Sequence, residues 1–500
     1  MMSLLYQFLV IEVLLLGLAT AAGSHSDVLV YCNIIGAALP GRISYPNSTI
    51  YNASLASYYS GQESDLKPGC IFTPTTTLEV STFVKLVTSD QECSKPPQFA
   101  IRGGGHMIWS GAANIEGGIT VDMRSMNSLV LSDDKTVASL GTGGIWSEIY
   151  TELVPLNLTV MGGRVAGIGV GGLALGGGIS YLSRRHGWVC DNIYNYEIVL
   201  ASGEIVDANA DNLPDLWLAL KGGSNNFGIV TRIDVPTWPM GQMWGGSIAF
   251  NYTNATLGAE AQAFSEFMDP ANFDDAADMG MALVFQNPGG AYALGNSLFY
   301  VEPVENPPVY QRFTSIPGQI GNSLGLANLS SFPIEAGGTL PADTRRAIDI
   351  VCSFKNGDAT LYQELFHAWE DGTNSLTDID GLQLVLLIQP HPVTNGTNSL
   401  GLSAGEKDVV LSVITASYAN SEDDETVQNG MQAIVDKHQE ILQNRDLYIP
   451  FQYLNYADKT QDPIGSYGEE VKIRLQQVSR KYDPDGVFQK QVETGFKLFN

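Results

Sequence analysis

The chain has 500 residues, a formal net charge of −27 at pH 7 and an isoelectric point near 4.4. This length exceeds what one hydrophobic core supports and predicts two or three domains. Because so acidic a surface repels phosphate backbones and anionic lipid headgroups, we expect neither nucleic acid nor a membrane as a partner.

The N-terminus has the layout of a secretory signal. An apolar run from Leu4 to Leu18 precedes the small residues Ala19-Thr20-Ala21, and we predict a signal peptide over residues 1–22. A membrane anchor is the alternative, but the run is shorter than the ~20 apolar residues of a membrane span and contains Glu12. Seven Asn-x-Ser/Thr sequons favour a secreted, N-glycosylated protein. Their asparagines are Asn47, Asn52, Asn157, Asn251, Asn254, Asn328 and Asn395.

The five cysteines can form at most two disulfides in an oxidising compartment. Cys32 and Cys93 flank the first structural segment, and we predict a disulfide between them. Neither the cysteines nor the six histidines show the spacing of a zinc site, so we expect no metal.

The first half of the chain alternates short strands with helices. Residues 70–79 predict a strand and then a helix that Thr76 or Thr77 caps. Strand-like alternation changes to helical spacing near Ile145. Residues 194–209 predict a hairpin, and residues 213–235 predict a helix, a glycine turn and a strand.

After Pro236 the strands and helices become longer. Residues 245–253 and 382–390 read as strands, and residues 424–442 read as a helix. This change predicts a first domain over residues 23–235, and a second α+β domain with an antiparallel sheet over residues 236–449. A C-terminal segment, residues 450–500, carries one more helix near 468–481.

Two glycine-rich stretches, 103–105 and 162–178, are separated by a strand-rich block. Glycine lets backbone N–H groups approach a phosphate closely. One diphosphate of a dinucleotide cofactor between the two stretches is the interpretation we favour. A Rossmann site is disfavoured because neither stretch has the strand–GxGxxG–helix setting with an acidic residue after it. Tight turns and close packing would account for either stretch alone.

The motifs "AIRGGGH", "GVGGLALGGGISYLSR", "DLWLALKGGSNNFGIVT" and "YLNY" follow one another in order. In this order the chain resembles the flavoprotein oxidases of the p-cresol methylhydroxylase / vanillyl-alcohol oxidase superfamily. Within that superfamily it is most similar to the berberine bridge enzyme-like family and its secreted fungal members. The resemblance implies an α+β fold: a two-part FAD-binding domain of the p-cresol methylhydroxylase type over residues 23–235, completed by residues 450–500, and a substrate-binding domain over residues 236–449.

The resemblance also implies FAD as the cofactor, covalently bound through His106. Relatives often have a second tether, a cysteine, where this chain has Val165, so we predict a single covalent link. Nearby Ile168 would lie at the flavin face that oxygen approaches, and His186 is either a cofactor contact or a surface residue. The implied cofactor-binding positions are Arg102, Gly103, Gly104, Gly105, His106, Ser110, Gly111, Gly163, Gly167, Gly169, Gly172, Gly177, Gly178, Ser180, Ile229 and Asn455.

Catalysis in such proteins pairs hydride transfer to flavin N5 with removal of a substrate proton. In sugar-oxidising relatives a tyrosine of the tail motif is the base, which implies Tyr456, with Tyr453 as the alternative. In alkaloid-oxidising relatives the base is a glutamate on a substrate-domain strand. The comparable strand here offers Gln389, which can orient a substrate but cannot accept its proton. Either tyrosine could instead serve packing alone.

Three functions follow from these residues. The first is a secreted FAD-linked oxidoreductase, monomeric, that oxidises a small alcohol, phenol or secondary metabolite, with a biosynthetic tailoring role that includes oxidative cyclisation or isomerisation. Molecular oxygen is an electron acceptor if the enzyme is an oxidase rather than a dehydrogenase. The second is a carbohydrate oxidase that makes a lactone and hydrogen peroxide. The third is a flavin-binding protein with little turnover.

Overall fold

The computed structural model describes residues 27–89, 95–287, 289–335 and 345–499. The predicted signal peptide and Cys93 lie outside these ranges. Within them, no helix is both long and apolar enough to cross a membrane. All seven sequon asparagines are exposed.

The first part of the chain forms a small mixed sheet and a larger antiparallel one. The mixed sheet has the order β1-β2-β4-β3, and its three longer strands run parallel. Its strands are β1 (Ile43–Ser44), β2 (Cys70–Phe72), β3 (Phe99–Arg102) and β4 (Ile119–Asp122). The second sheet has the order β5-β6-β10-β8-β9, and a two-stranded ribbon joins β7 to β11. These strands are β5 (Leu129–Leu131), β6 (Val137–Gly141), β7 (Leu158–Thr159), β8 (Asn195–Val199), β9 (Ile205–Asn209), β10 (Ile229–Pro236) and β11 (Trp238–Pro239).

A nine-stranded sheet, antiparallel at every pairing, lies in the second half of the chain. Its strands all fall inside the predicted substrate-binding region, whose boundaries stay a prediction. They are β12 (Gln242–Asn251), β13 (Ala277–Gln286), β14 (Ala291–Tyr300), β15 (Gln319–Asn322), β16 (Gly325–Asn328), β17 (Arg346–Lys355), β18 (Gln383–Pro390), β19 (Val409–Tyr418) and β20 (Tyr448–Ile449).

The helices pack against these sheets. Those outside the nine-stranded part are α1 (residues 27–38), α2 (Thr49–Ala56), α3 (Gly61–Ser64), α4 (Thr77–Thr88), α5 (Trp146–Leu153), α6 (Val170–Leu175), α7 (Ser183–His186), α8 (Pro214–Leu220), α14 (Pro463–Ser466), α15 (Glu469–Tyr482) and α16 (Val487–Lys490). Those of the nine-stranded part are α9 (Asn254–Phe267), α10 (Gln311–Thr314), α11 (Ser331–Glu335), α12 (Ala359–Thr373) and α13 (Asp424–Asn444). The predicted α+β class with an antiparallel sheet is confirmed.

Local signals placed several elements correctly. Thr76 caps α4, where its side chain accepts a hydrogen bond from the Glu79 N–H. Strands β8 and β9 form the predicted hairpin, with Val199 opposite Ile205. The predicted helix near 468–481 is α15, which ends one residue later than expected.

The predicted Cys32–Cys93 disulfide is wrong, because Cys32 is bonded to Cys70. Cys32 lies on α1 and Cys70 begins β2, and their Cα atoms are 6.2 Å apart. The helix packs on the mixed sheet through a shared buried core, which brings the two thiols together. Sequence position alone did not reveal that α1 returns to the start of β2.

The C-terminal segment packs back onto the first part of the chain. The Phe99 N–H at the start of β3 donates to the Gln491 carbonyl over 2.8 Å, and Asn226 donates to the Phe496 carbonyl over 2.9 Å. Phe488 belongs to the same buried core as the mixed sheet. The C-terminal segment therefore packs as part of the region predicted to bind FAD.

Candidate active site

The two glycine-rich stretches meet backbone to backbone. Strand β3 ends at Arg102, and α6 begins immediately after Gly169, which caps it. A Cβ added to Gly104 would lie 2.6 Å from the Gly169 nitrogen, and one added to Gly169 would lie 2.3 Å from the Gly104 nitrogen. Neither position accommodates a side chain without backbone movement, so this contact requires glycine at both.

Open space lies beside this contact. A Cβ added to Gly111 or to Gly172 would meet no described atom within 4 Å. Gly172 is exposed on the first turn of α6, and a Cβ on Gly103 would lie 3.7 Å from its nitrogen. Exposed backbone N–H groups at a helix start suit an anionic group. The glycines thus combine a close backbone contact with an open cradle.

His106 follows this glycine contact and has an unused nitrogen. Its imidazole stacks on Tyr59, with ring centroids 3.9 Å apart and planes 18° from parallel. Its Nε2 atom is buried and has no hydrogen-bond partner among the described residues. Burial lowers the pKa of His106 to about 4, so the ring is neutral near pH 7. A neutral imidazole with a free nitrogen is a competent nucleophile.

Glu63 holds the loop that follows His106. Its carboxylate accepts hydrogen bonds from the Ala112 and Ala113 N–H groups, at 2.6 and 3.1 Å. Asn114 donates to the Glu63 carbonyl over 2.8 Å. Burial raises the pKa of Glu63 to about 7, against the opposing effect of these backbone hydrogen bonds. The loop is therefore fixed by a buried acidic group that the sequence did not single out.

Arg102 directs its guanidinium toward α2, beside Gly105, where an added Cβ would lie 2.8 Å from the Arg102 Nε atom. It donates to the Ser54 carbonyl at 2.6 Å and to the Ser57 Oγ at 2.9 Å. The guanidinium also lies 3.6 Å from the centre of the Tyr58 ring. These contacts give Arg102 a role in supporting the loop, and its proposed contact with a cofactor stays a prediction.

The remaining predicted cofactor positions are placed around the second glycine stretch and the tail. Asn455 donates to the Leu173 carbonyl of α6 at 3.1 Å and to the Tyr453 hydroxyl at 2.9 Å. Five of the predicted glycines have positive φ angles: Gly105, Gly111, Gly167, Gly177 and Gly178. Ser180 and Ile229 are buried, Gly163 adjoins Ile168, and Ser110 is exposed.

Arg164 joins three distant parts of the chain. Its guanidinium bonds to Asp278 of β13 at 2.9 Å and to the Gln389 Oε1 of β18 at 2.5 Å, and it reaches the Tyr456 hydroxyl at 3.5 Å. Tyr181 donates to the Arg164 carbonyl. Burial opposes the charge of Arg164, but the Asp278 carboxylate, together with the hydroxyls of Tyr456 and Tyr181, outweighs this effect and raises the pKa of Arg164. The arginine is therefore a fixed cation.

This cluster unites the predicted residues Gln389 and Tyr456 and adds two that the sequence analysis missed, Arg164 and Asp278. Asp278 is 114 residues from Arg164 along the chain, and Gln389 is 225. No local pattern connects residues so far apart. The one available signal was the position of Arg164 inside the second glycine stretch, immediately before Val165.

The two tail tyrosines differ in environment. Tyr453 is 1% exposed, its hydroxyl accepts from Asn455, and its ring packs on Trp188. Burial raises the pKa of Tyr453 well beyond its usual range. The Tyr456 ring contacts Tyr453 edge-on at 4.9 Å and is only partly buried. Tyr456 is thus the more accessible of the two and the one that touches Arg164.

Two further histidines, His391 and His186, lie against aromatic rings in this region. His391 is buried between Trp188 and Phe451, and burial lowers its pKa to about 3. His186 is half-buried and stacks on Trp238 at 4.7 Å. Both are therefore neutral aromatic neighbours in this structure.

Residues 68–209 match a family described as "FAD binding domain". Over 475 residues the chain is 36% identical to the FAD-dependent monooxygenase tpcD of Cochliobolus heterostrophus. The alignment covers 91% of this chain and 89% of that protein. The structure superposes on the berberine bridge enzyme-like protein 1 of Physcomitrella patens with a TM-score of 0.72 at 20% identity, covering 91% of this chain and 97% of the other. The chain belongs to the family of FAD-dependent oxidoreductases that includes tpcD, and its fold is that of the berberine bridge enzyme-like proteins.

Two further similarities bear on this FAD-dependent oxidoreductase. It is 30% identical over 481 residues to the bifunctional solanapyrone synthase of Alternaria solani, covering 93% of this chain and 88% of that protein. It also shares its fold with a glucooligosaccharide oxidase of Acremonium strictum that carries a 6-S-cysteinyl, 8α-N1-histidyl FAD, with a TM-score of 0.73, 19% identity, and coverage of 91% and 97%. The protein is an FAD-dependent oxidoreductase.

Proposed function

We propose that this FAD-dependent oxidoreductase binds FAD covalently through His106 alone and oxidises a small organic alcohol, phenol or secondary metabolite. The carrying observation is the buried, unpartnered and neutral Nε2 of His106 at the end of a glycine loop that packs on a second glycine loop. The flavin supplies the hydride acceptor.

The residues fit that cofactor. At Gly111 and Gly172 no described atom lies within 4 Å of an added Cβ, so there is room for part of the cofactor. The backbone N–H groups there suit a diphosphate. Val165 cannot form a thioether, in contrast to the doubly linked flavin of the glucooligosaccharide oxidase. His106 is then the single covalent attachment.

Tyr456 is the proposed base or proton acceptor toward the substrate, and Gln389 orients the substrate. Tyr456 is partly accessible and lies beside a fixed cation, whereas burial disfavours the ionised form of Tyr453. Arg164 and Asp278 hold Gln389 in one orientation. The proposed site therefore has two parts: the fixed polar cluster of Arg164, Asp278 and Gln389, and the accessible hydroxyl of Tyr456.

A secreted, glycosylated enzyme of fungal secondary metabolism is the setting we propose. All seven sequon asparagines are exposed, so each is accessible to glycosylation, and a disulfide joins Cys32 to Cys70. The name of the solanapyrone synthase, a relative similar over nearly the whole chain, supports a tailoring role.

Acid precipitation tests the attachment. We expect the purified protein to keep its yellow colour in the denatured pellet, and His106→Ala to release the flavin into the supernatant. Val165→Cys is the informative counterpart, because it restores the residue type of a second tether. Acid-stable colour in the His106→Ala protein would overturn the assignment. Peroxide release on cellobiose, with no bleaching by phenols or alcohols, would instead establish the carbohydrate oxidase alternative.

A further inference from the structure

Gln389 presents an unsatisfied donor in the Arg164 cluster. Arginine only donates hydrogen bonds, so the atom of Gln389 that faces Arg164 must be its Oε1 oxygen. The Nε2 amide of Gln389 is then left buried and has no partner among the described residues. Gln389 is 1% exposed. A buried donor without an acceptor is costly, so this amide, beside a cation with unused donors, is suited to bind an acceptor atom of a ligand.

The guanidinium beside it has donors to spare. The contacts with Asp278, Gln389 and Tyr456 use Nη1 and Nη2. The Nε–H and a second Nη1–H of Arg164 have no acceptor in the part of the chain that the structure describes. The side chain keeps 14% of its surface exposed, whereas Asp278 keeps 2%. Asp278 therefore fixes the position of the guanidinium, while part of the Arg164 side chain stays accessible to a ligand.

A second buried arginine lies near this cluster. Arg184 lies against the rings of Phe267 and Phe273 at 4.4 and 4.6 Å. Burial lowers the pKa of Arg184. Three carboxylates act against this effect of burial, those of Asp278, Asp274 and Asp275. Arg164 keeps unused donors, so it is the cation of this site that can meet an anion, in a chain whose net charge is −27.

We propose that Arg164 and the Gln389 amide bind an anionic oxygen of the substrate, so that the substrate is a small acidic molecule such as a carboxylate, an enol or an acidic phenol. The anion accepts hydrogen bonds from the Gln389 amide and from the spare guanidinium donors, and it is attracted to the Arg164 cation. This inference rests on the proposed function and specifies the substrate class of the same site.

Benzoate and benzamide are the probes, because they share shape and differ in charge. We expect calorimetric titration of the flavin-loaded protein at pH 7 to give at least tenfold tighter binding of benzoate, with a matching shift in the flavin absorption band. Arg164→Gln should weaken benzoate about 10- to 100-fold, as expected for hydrogen bonds to a charged group. It should weaken benzamide binding less, about 2- to 10-fold, because the neutral carbonyl oxygen lacks the attraction between opposite charges that benzoate has with the guanidinium.

Two further variants complete the design. Arg185→Gln removes the neighbouring arginine, which is partly exposed and paired with Asp275 and Glu302, and should leave both probes unchanged. The double variant Arg164→Gln/Asp278→Asn removes the cation without leaving Asp278 unpaired, so it keeps the test available if the single variant does not fold.

Several results overturn the inference. They are equal affinity for the two probes, no benzoate binding at millimolar concentration, or equal weakening of both probes by Arg164→Gln. Each can occur in a protein whose acid-stable flavin is intact, which leaves the proposed function standing. A protein without acid-stable flavin contradicts the covalent attachment instead, while calorimetry still reports on the anion site.

Discussion

Gly104 and Gly172 separate the packing role of the glycine loops from their cofactor role. Both belong to the predicted cradle, but a Cβ on Gly104 would collide with the backbone of Gly169 at 2.6 Å, whereas one on Gly172 meets nothing within 4 Å. Gly172 also lies inside α6, without a positive φ. Alanine at these two positions therefore tests two different things.

The expected magnitudes differ in sign. Gly104→Ala forces the two backbones apart and should destabilise the folded protein by about 1–3 kcal/mol. Gly172→Ala should stabilise the flavin-free protein by about 0.5–1 kcal/mol, because alanine is the better helix residue. If FAD occupies the open space, the same methyl group should weaken its binding by about 1–3 kcal/mol, or about 5- to 150-fold.

The assay uses the His106→Ala background, in which FAD binding is reversible. Thermal unfolding of the flavin-free protein reports the stability change, and fluorescence titration with FAD reports the affinity change. We expect Gly172→Ala to raise the unfolding midpoint and to weaken FAD binding. An unchanged FAD affinity in Gly172→Ala would refute the assignment of that space to the cofactor, and an unchanged midpoint in Gly104→Ala would refute the packing argument.

Two other predictions concern buried acidic groups. Asp278→Asn leaves the Arg164 cation buried without its carboxylate and should lower the free energy of unfolding by about 3–5 kcal/mol. The control Asp275→Asn removes a half-exposed partner of Arg185 and should lower it by less than about 1 kcal/mol. Equal losses in chemical denaturation would contradict this prediction. The folded-state pKa of Glu63 is raised from 4.5 to about 7, so the folded protein binds more protons than the unfolded chain in that interval. The contribution of Glu63 to stability should fall as the pH rises from about 4.5 to 7, and Glu63→Gln should flatten that part of the profile of unfolding midpoint against pH; a profile of unchanged slope would count against it.

Short-range chemistry made much of the fold predictable. The Thr76 cap of α4 and the β8–β9 hairpin depend on residues within a few positions of each other, so the sequence carries their signal directly. The disulfide could not be predicted in this way. Cys32, Cys70 and Cys93 are equally plausible partners until the packing of α1 on β2 is known.

The site was predictable to the extent that motif and side chain coincide. The glycine contact and His106 lie in continuous motifs, and the structure brings these motifs together. Arg102 lies in the same motif, but its side chain serves Ser54 and Ser57, because a motif fixes the backbone position and not the direction of a long side chain. Arg164 acquires its importance from Asp278 and Gln389, which only the tertiary fold places beside it.

The hydrogen bond between the Phe99 N–H and the Gln491 carbonyl joins two residues that are synthesised far apart in time. Phe99 begins the strand that leads to His106, and Gln491 lies 392 residues further along the chain. At ordinary elongation rates, the interval between the synthesis of residue 106 and that of residue 491 is on the order of 20–80 s. During that interval the Phe99 N–H lacks the carbonyl that it bonds in the folded protein, so the start of this strand is completed only after residue 491 has been made.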